Sequence, residues 1–258
     1  MPSKRSTETI RSITRKKGKY VVATDAWTLS LSLDAFSETP LYVGKVIGSA
    51  EYFRLKHLAD LDEPLRYAHG LLARRPYSVH LLKEKVLAKF PECDDLKEIV
   101  FILKKEGLLD DARYAEDYAA SKEAALYGPN RILDALRYEK GIAPEVLEGL
   151  KFERQDKQVE RLMPSLERRY ASLPYRAKRQ KIEKAIVDRG YDREVARRFA
   201  EQIAEDPKAV RKRLAADCAK AKASYSRKYE GYELRQRIIR SLLSKGYKMD
   251  MIEEVLPQ

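Results

Sequence analysis

The chain is poor in the residues that build most active sites. Its two cysteines, Cys93 and Cys218, lie far apart and form no CxxC pair, which excludes a disulfide framework and points to a reducing compartment. Its three histidines, His57, His69 and His80, are too few and too scattered for a metal cluster legible in the sequence. No run approaches the roughly 18–20 apolar residues of a membrane span, and the opening MPSKRSTETIRS has no apolar stretch of signal-peptide type. These absences predict a cytoplasmic protein without a membrane partner. GxxxxGK[ST], HExxH and GxSxG segments are missing too. The sequence therefore predicts no enzyme, no catalytic residue, no metal and no cofactor.

What the chain has in abundance is charge. Charged residues make up 36% of it, and 52 Lys and Arg outnumber 40 Asp and Glu for a net charge of +12. A hydrophobic share of 44% over 258 residues is enough for buried cores and too high for a disordered chain. The cation excess favours nucleic acid, an acidic protein surface or an anionic membrane as partner. The plainer alternative is a helical protein whose surface is merely basic.

Residues 1–48 differ from the rest. Ile10–Thr14, Tyr20–Thr24 and Thr28–Leu33 are rich in β-branched, aromatic or alternating residues, and RKKGKY between the first two suits a Gly-containing hairpin turn. In WTLSLSL, Trp27, Leu29, Leu31 and Leu33 alternate with Thr and Ser, the period of a half-buried strand. A small antiparallel sheet of two or three strands follows, one that must lean on helices or on a partner.

From about Ser49 the period becomes helical. Tyr52, Leu55, Leu58 and Ala59 can share one face and Leu65, Ala68 and Leu72 another. Pro76 with Ser78 reads as a helix entry. An internal repeat then appears. RILDALRYEKGIAPEVLEGL, KIEKAIVDRGYDREVARRF and RIIRSLLSKGYKMDMIEEVL each begin basic–Ile and run to a Gly, with an apolar residue five places later: Val146, Val195 and Met251. A degenerate copy at 81–100 has Phe90 in the Gly place. The four positions, 90, 141, 190 and 246, stand 51, 49 and 56 residues apart. Each copy reads as a helix, a Gly in the left-handed conformation past the helix end, and a second helix, with Pro144 and Asp192 suited to start those second helices. From Ile182 and Ile238 the Gly lies eight residues on, but from Ile132 it lies nine on. Either the helix after Ile132 is irregular or the copies are offset there by one residue.

One helix pair cannot bury its own apolar face, but several in series can. The predicted fold is mainly α: an elongated array of tandem three-helix repeats behind the small β element. The expected divisions are 1–48 for the β element, 49–108 for a first helical repeat, 109–165 for a second, and 166–258 for a C-terminal part holding two helix–Gly–helix copies.

The stretch KKEGLLDDARYAEDYA marks a joint between repeats. Gly107 stands where one helix should stop. Asp110 is placed to cap the next, with Asp111 at its first position, and Leu109 and Tyr114 are spaced as a hydrophobic staple. Capping explains the two acids better than acid–base catalysis, for which nothing nearby supplies a third group. Arg113, on the first turn of a helix, is a cation at the unfavourable end of the dipole. Pairing with a neighbouring carboxylate is favoured there over contact with a partner.

Gly107, Leu108, Leu109, Asp110, Asp111, Ala112, Arg113, Tyr114 and Ala115, followed by Gly128, Arg131, Ile132, Gly141 and Ile142, resemble the linker and next helix pair of the RecX family, bacterial regulators of the RecA recombinase. The resemblance is strong over 104–142 and reaches more weakly over about 65–256. It implies a curved array of three-helix repeats that is not an enzyme. Such a protein binds the RecA–DNA filament in its helical groove, limits its ATPase, strand-exchange and coprotease activities in DNA repair and the SOS response, and in some members binds DNA. A monomer is expected.

Two basic, tyrosine-containing stretches are the candidate contact surfaces for filament or DNA. The first carries Arg168, Arg169, Arg176, Lys178, Arg179, Lys181 and Lys184 with Tyr170 and Tyr175. The second carries Lys220, Lys222, Arg227, Lys228, Arg235, Arg237 and Arg240 with Tyr225, Tyr229 and Tyr232. Cations neutralise phosphates and aromatics stack on exposed bases. The bland alternative is a solvated helix face with its tyrosines in the core. Charge reversal at Arg176, Lys178 and Arg179 is expected to weaken filament binding and leave the fold intact. The rival function is an α-helical DNA-binding protein, single- or double-stranded, without a recombinase partner.

Overall fold

The computed structural model describes residues 7–204 and 207–256. Residues 1–6 of the opening stretch, 205–206 and 257–258, all inside the expected divisions, lie outside the described residues. The protein is mainly helical with a small antiparallel sheet at its N-terminal end. It divides into two compact units, one formed by residues up to 115 together with 137–146, the other by 116–136 and 147 onward.

In the first unit, β2 (Ser12–Lys16), β3 (Lys19–Ala23) and β4 (Thr28–Leu31) pair antiparallel in that order. Lys17 and Gly18, with φ of 50° and 80°, form the two-residue turn between β2 and β3. The strands differ in extent from the sequence expectation. β1 (Glu8–Thr9) pairs instead with β5 (Val46–Ile47), and Ile10 N–H donates to Lys45 O at 2.9 Å, so Ile10 leaves the hairpin. The last strand stops at Leu31 because Ser32 caps a short helix, α1 (Leu33–Ser37), accepting from Ala35 N–H at 3.2 Å. Both departures are contacts that alternation in the sequence does not encode. The sheet leans on α2 (Ser49–Leu72), as a sheet this small must. Ile10, Val22, Leu31, Ala35, Ile47 and Leu55 form the core, with the Trp27 and Tyr52 rings 5.0 Å apart at its edge.

The second face of α2 serves another core. It packs with α3 (Val79–Lys89) and α4 (Leu96–Lys105) through Leu61, Ala68, Leu82, Val86, Ile99 and Leu103. Ser78 caps α3, accepting from Leu81 N–H at 3.2 Å. Phe90 ends α3 with φ of −127°, outside the left-handed region, and the chain spends residues 91–95 before α4 begins. That longer connection is why this copy of the repeat lacks its glycine.

α5 (Asp111–Ala124) leads to α6 (Pro129–Asp134), which continues into a π-helical turn at Ala135–Glu139 before Gly141 and α7 (Pro144–Glu148). The π turn settles the irregular spacing after Ile132. It absorbs one surplus residue, so Ile132 and Leu136 stay buried while Gly141 keeps its place past the helix end.

In the second unit, α8 (Gln155–Arg169), α9 (Tyr175–Asp188) and α10 (Arg193–Glu201) share one core of Val159, Leu162, Leu166, Ile182, Ile186 and Phe199. The division expected after residue 165 falls inside α8, whose apolar stripe at 159, 162 and 166 faces α9 and α10. α11 (Pro207–Tyr225), α12 (Gly231–Ser244) and α13 (Met249–Val255) form a further three-helix group around Leu214, Cys218, Ile238, Leu242, Tyr247 and Ile252. Both cysteines are free.

Candidate functional site

Three joints are built on one plan. In each, the Gly turn of one repeat sits on the start of the middle helix of the repeat before it. Ser78 Oγ donates to Lys140 O at 2.7 Å, and a Cβ on Gly141 would lie 2.5 Å from His80 Cβ. Gly128 N–H donates to Arg189 O at 2.8 Å and Asn130 N–H to Gly190 O at 3.1 Å. The third joint sets Gly246 against Arg176 and Ala177. Gly141, Gly190 and Gly246 all take positive φ, as the repeat pattern predicts, and so does Gly107 at the end of α4.

The tyrosines that follow two of these glycines pin the turn into its own repeat. Tyr191 OH donates to Gln158 Oε1 at 2.9 Å, and burial pushes its phenol up to about 12. Tyr247 OH donates to Asp217 Oδ2 at 2.8 Å, and burial, then that bond, raises it above the ordinary tyrosine value. Asp192 stands at the start of α10 as predicted. Its carboxylate, though, accepts from Asn130 Nδ2 and Gln155 Nε2 at 2.8 and 2.7 Å instead of capping its own helix.

The family-motif residues prove structural in the main. Asp110 Oδ1 accepts from Ala112 and Arg113 N–H at 2.8 and 3.1 Å, the predicted cap. Asp111 Oδ1 accepts from Val79 N–H at 2.8 Å, so this acid serves the start of α3 as well. Leu109 is buried in the core of α2, α3 and α4, and Leu108 is exposed. Arg131 Nη1 donates to Asp188 O at 3.0 Å while its guanidinium stands 5.0 Å from the Tyr127 ring. Arg113 departs from the favoured expectation. It is exposed, and among the described residues its side chain has neither an ion pair nor a hydrogen bond.

The basic stretches separate into structural and free cations. Arg179 Nε donates to Ala200 O in the last turn of α10 at 3.0 Å, and Arg235 Nη2 to Leu256 O at the end of α13 at 3.3 Å. Each stands eleven residues before its repeat's glycine, so the two do the same work. Arg179 is thus a helix cap, and reversing its charge cannot leave the fold untouched. Arg169 stands 5.4 Å from the Tyr170 ring, and Arg237 lies 4.8 Å from that of Tyr229 with Glu233 at 3.7 Å. Arg168, Arg176, Lys181, Arg227, Lys228 and Arg240 are exposed and without an ion pair among the described residues, and Lys178 is half-buried. On α9, at about 100° per residue, Arg176 and Lys181 fall on different sides, so that cluster is not one contact face. Of the five tyrosines in these two stretches only Tyr232 is largely exposed, at 79%; Tyr170, Tyr175, Tyr225 and Tyr229 are half-buried.

Sequence reasoning missed the exposed aromatics Phe101 and Tyr138, the latter on the π turn. It also missed one His–carboxylate group among the described residues, His57 with Asp95 and Glu98. Its ring nitrogens face different carboxylates, Nδ1 toward Asp95 at 3.3 Å and Nε2 toward Glu98 at 2.8 Å. It therefore ties α2 to α4, as His69 does through Glu106 at 2.7 Å. Among the described residues, no helix is long and apolar enough to cross a membrane.

With this geometry in view, comparison with known proteins is informative. Residues 211–256 match the family model "RecX, third three-helix domain", which covers α12 and α13 and most of α11. Regulatory protein RecX of Streptococcus equi subsp. zooepidemicus is 24% identical over 248 residues, 94% of this chain and 96% of that protein. Regulatory protein RecX of Halalkalibacterium halodurans is 26% identical over 239 residues, 90% of each. A crystal structure of a regulatory protein RecX, 20% identical, superposes with a TM-score of 0.63 over 75% of this chain and all of its own. Motif, repeat plan, the alignments over nearly the whole chain and the fold agree in likening this chain to proteins named regulatory protein RecX, and residues 211–256 match that family's third three-helix domain.

Proposed function

We propose that this protein is a regulator, mainly an inhibitor, of the RecA recombinase. It binds in the groove of the RecA–DNA filament in the cytoplasm, as a monomer and without catalysis of its own. The observation that carries this reading is the alignment over almost the whole chain with proteins named regulatory protein RecX, together with a repeat plan whose joints leave Arg113, Arg168, Lys181, Arg227, Lys228 and Arg240 exposed and without an ion pair among the described residues. Many individually weak contacts presented by linked repeats add up to a multivalent hold on a repeating partner. Such a hold limits ATP hydrolysis, strand exchange and coprotease activity by occupying the groove.

The direct test is RecA ATPase on single-stranded DNA. Inhibition at well below one molecule per RecA protomer, persisting at salt that abolishes the protein's own DNA binding, is the expected result. Loss of inhibition and DNA binding together as salt rises supports the second reading, a DNA-binding protein without a recombinase partner. The exposed cations of the α11–α12 connection, Arg227 and Lys228, are what favours that alternative.

A further inference from the structure

The three joints are not equally tight. At the first two, the start of the middle helix supplies a donor to the carbonyl before the glycine: Ser78 Oγ to Lys140 O, and Gly128 N–H to Arg189 O. At the third, the corresponding helix cap is Pro174, which has no N–H and no side-chain donor. A Cβ on Gly141 or Gly190 would collide with a neighbour at 2.5 or 2.4 Å, whereas one on Gly246 would meet nothing nearer than Ala177 N at 3.5 Å. The turn stands back, and a cleft of about 510 Å³ opens beside it between α9 and α13.

The chemistry of its walls is specific. Tyr175, Val210 and Met251 give it an apolar lining, and Arg176, Arg179 and Lys248 bring three cations to it. Arg179 is held by Ala200 O, but Arg176 and Lys248 are exposed and have no ion pair among the described residues. A volume of this size takes a few side chains or a small ligand. Apolar lining with arginine forks selects a group that is partly apolar and ends in an anion. Glu183 also lines the cleft, which disfavours a doubly charged phosphate more than a single carboxylate.

The geometry points to a docking cleft for an acidic, partly apolar peptide segment of a partner protein. A carboxylate side chain would meet Arg176 and Lys248, and a neighbouring apolar side chain would enter between Tyr175 and Met251. This inference rests on the cleft and the chemistry of its walls, and stands whether or not the recombinase is the partner.

The test is fluorescence anisotropy of the full-length protein with a short labelled peptide of alternating glutamate and leucine, beside the same peptide with glutamine for glutamate. The expected result is binding of the glutamate peptide only, weakened by about tenfold or more in Arg176→Glu/Lys248→Glu, with the melting temperature of the variant unchanged. Met251→Trp, which fills the cleft without altering charge, is expected to weaken binding as well. No binding of the glutamate peptide, equal binding of both peptides, or equal binding by the double variant would overturn the proposal. So would displacement of the peptide by a deoxythymidine oligonucleotide that itself depends on Arg176 and Lys248, since the cleft would then be a phosphate site.

Discussion

A Cβ placed on Gly128 would lie 2.3 Å from the carbonyl carbon of Gly190. Two backbones from successive repeats meet there with no room for a methyl group. Gly128 has an ordinary φ of −77°, so conformational freedom is not what requires glycine at this place. Gly128→Ala is expected to lower stability by about 3 kcal/mol through overpacking against main chain. Gly246→Ala, which has space but a φ of 93°, should cost about 1 kcal/mol in backbone strain alone. Urea unfolding of the two variants side by side checks the order, and a Gly246→Ala variant the less stable of the pair would contradict this account of the joint.

Asp110 and Asp111 should separate in a stability assay. Asp110→Ala removes a helix cap and is expected to cost about 1 kcal/mol. Asp111→Ala strips the half-buried Val79 N–H of its acceptor and is expected to cost about 1–2 kcal/mol. Inhibition of RecA by either variant, measured below its melting temperature, should match the unsubstituted protein. Lost inhibition with unchanged melting would make these acids contact residues.

The cations of α9 and α12 divide by role. Arg179→Ala and Arg235→Ala each remove a bond to a carbonyl at a helix end, and each should lower stability by about 1 kcal/mol. Reversal of Arg176 and Lys181 should leave melting unchanged and weaken filament binding, measured by co-sedimentation with RecA on single-stranded DNA. Wild-type co-sedimentation would remove α9 from the interface.

Asp217 makes the C-terminal group sensitive to acid. Burial alone would raise its carboxyl, but hydrogen bonds from Lys245 and Tyr247, both at 2.8 Å, outweigh that and hold it below the ordinary aspartate value. A carboxyl depressed on folding contributes stability above its unfolded pKa of about 3.9. That stability is lost as the pH falls through the lower folded value. Asp217→Asn should therefore lower stability near neutral pH by about 1–2 kcal/mol, and the difference from the unsubstituted protein should shrink below about pH 4. A pH-independent difference would assign the effect to packing.

Deletion of Tyr138, 74% exposed on the π turn, should convert Ala135–Glu139 to ordinary α-helix and keep Ile132 and Leu136 in the core. Melting followed by circular dichroism is expected to shift little, whereas deletion of the exposed Lys184 in regular α9 should unfold its group. Equal damage from both deletions would mean that the surplus residue is not accommodated as described.

The repeat, the hairpin turn and the Asp110 cap were legible in the sequence because each rests on residues close together in the chain. Gly at 141, 190 and 246, Lys17–Gly18 and Asp110 announce their conformations locally. The π turn was visible only as a surplus residue whose meaning stayed open. What could not be read was every relation across repeats. Nothing near Gly128 says that Gly190 will press against it. Nothing near Arg179 says that it will reach Ala200, so a helix cap passed for a free surface cation. The pairing of β1 with β5 failed to appear for the same reason, since some 37 residues separate Thr9 from Val46.

Pro174 also has a kinetic consequence. In a series held together by nearest-neighbour joints, local opening begins at the weakest one. The joint without a donor at its helix cap lies before the last three-helix group, so the amides of α12 and α13 should exchange with solvent sooner than those of α9 and α10. One absent hydrogen would then set the order in which this protein comes apart.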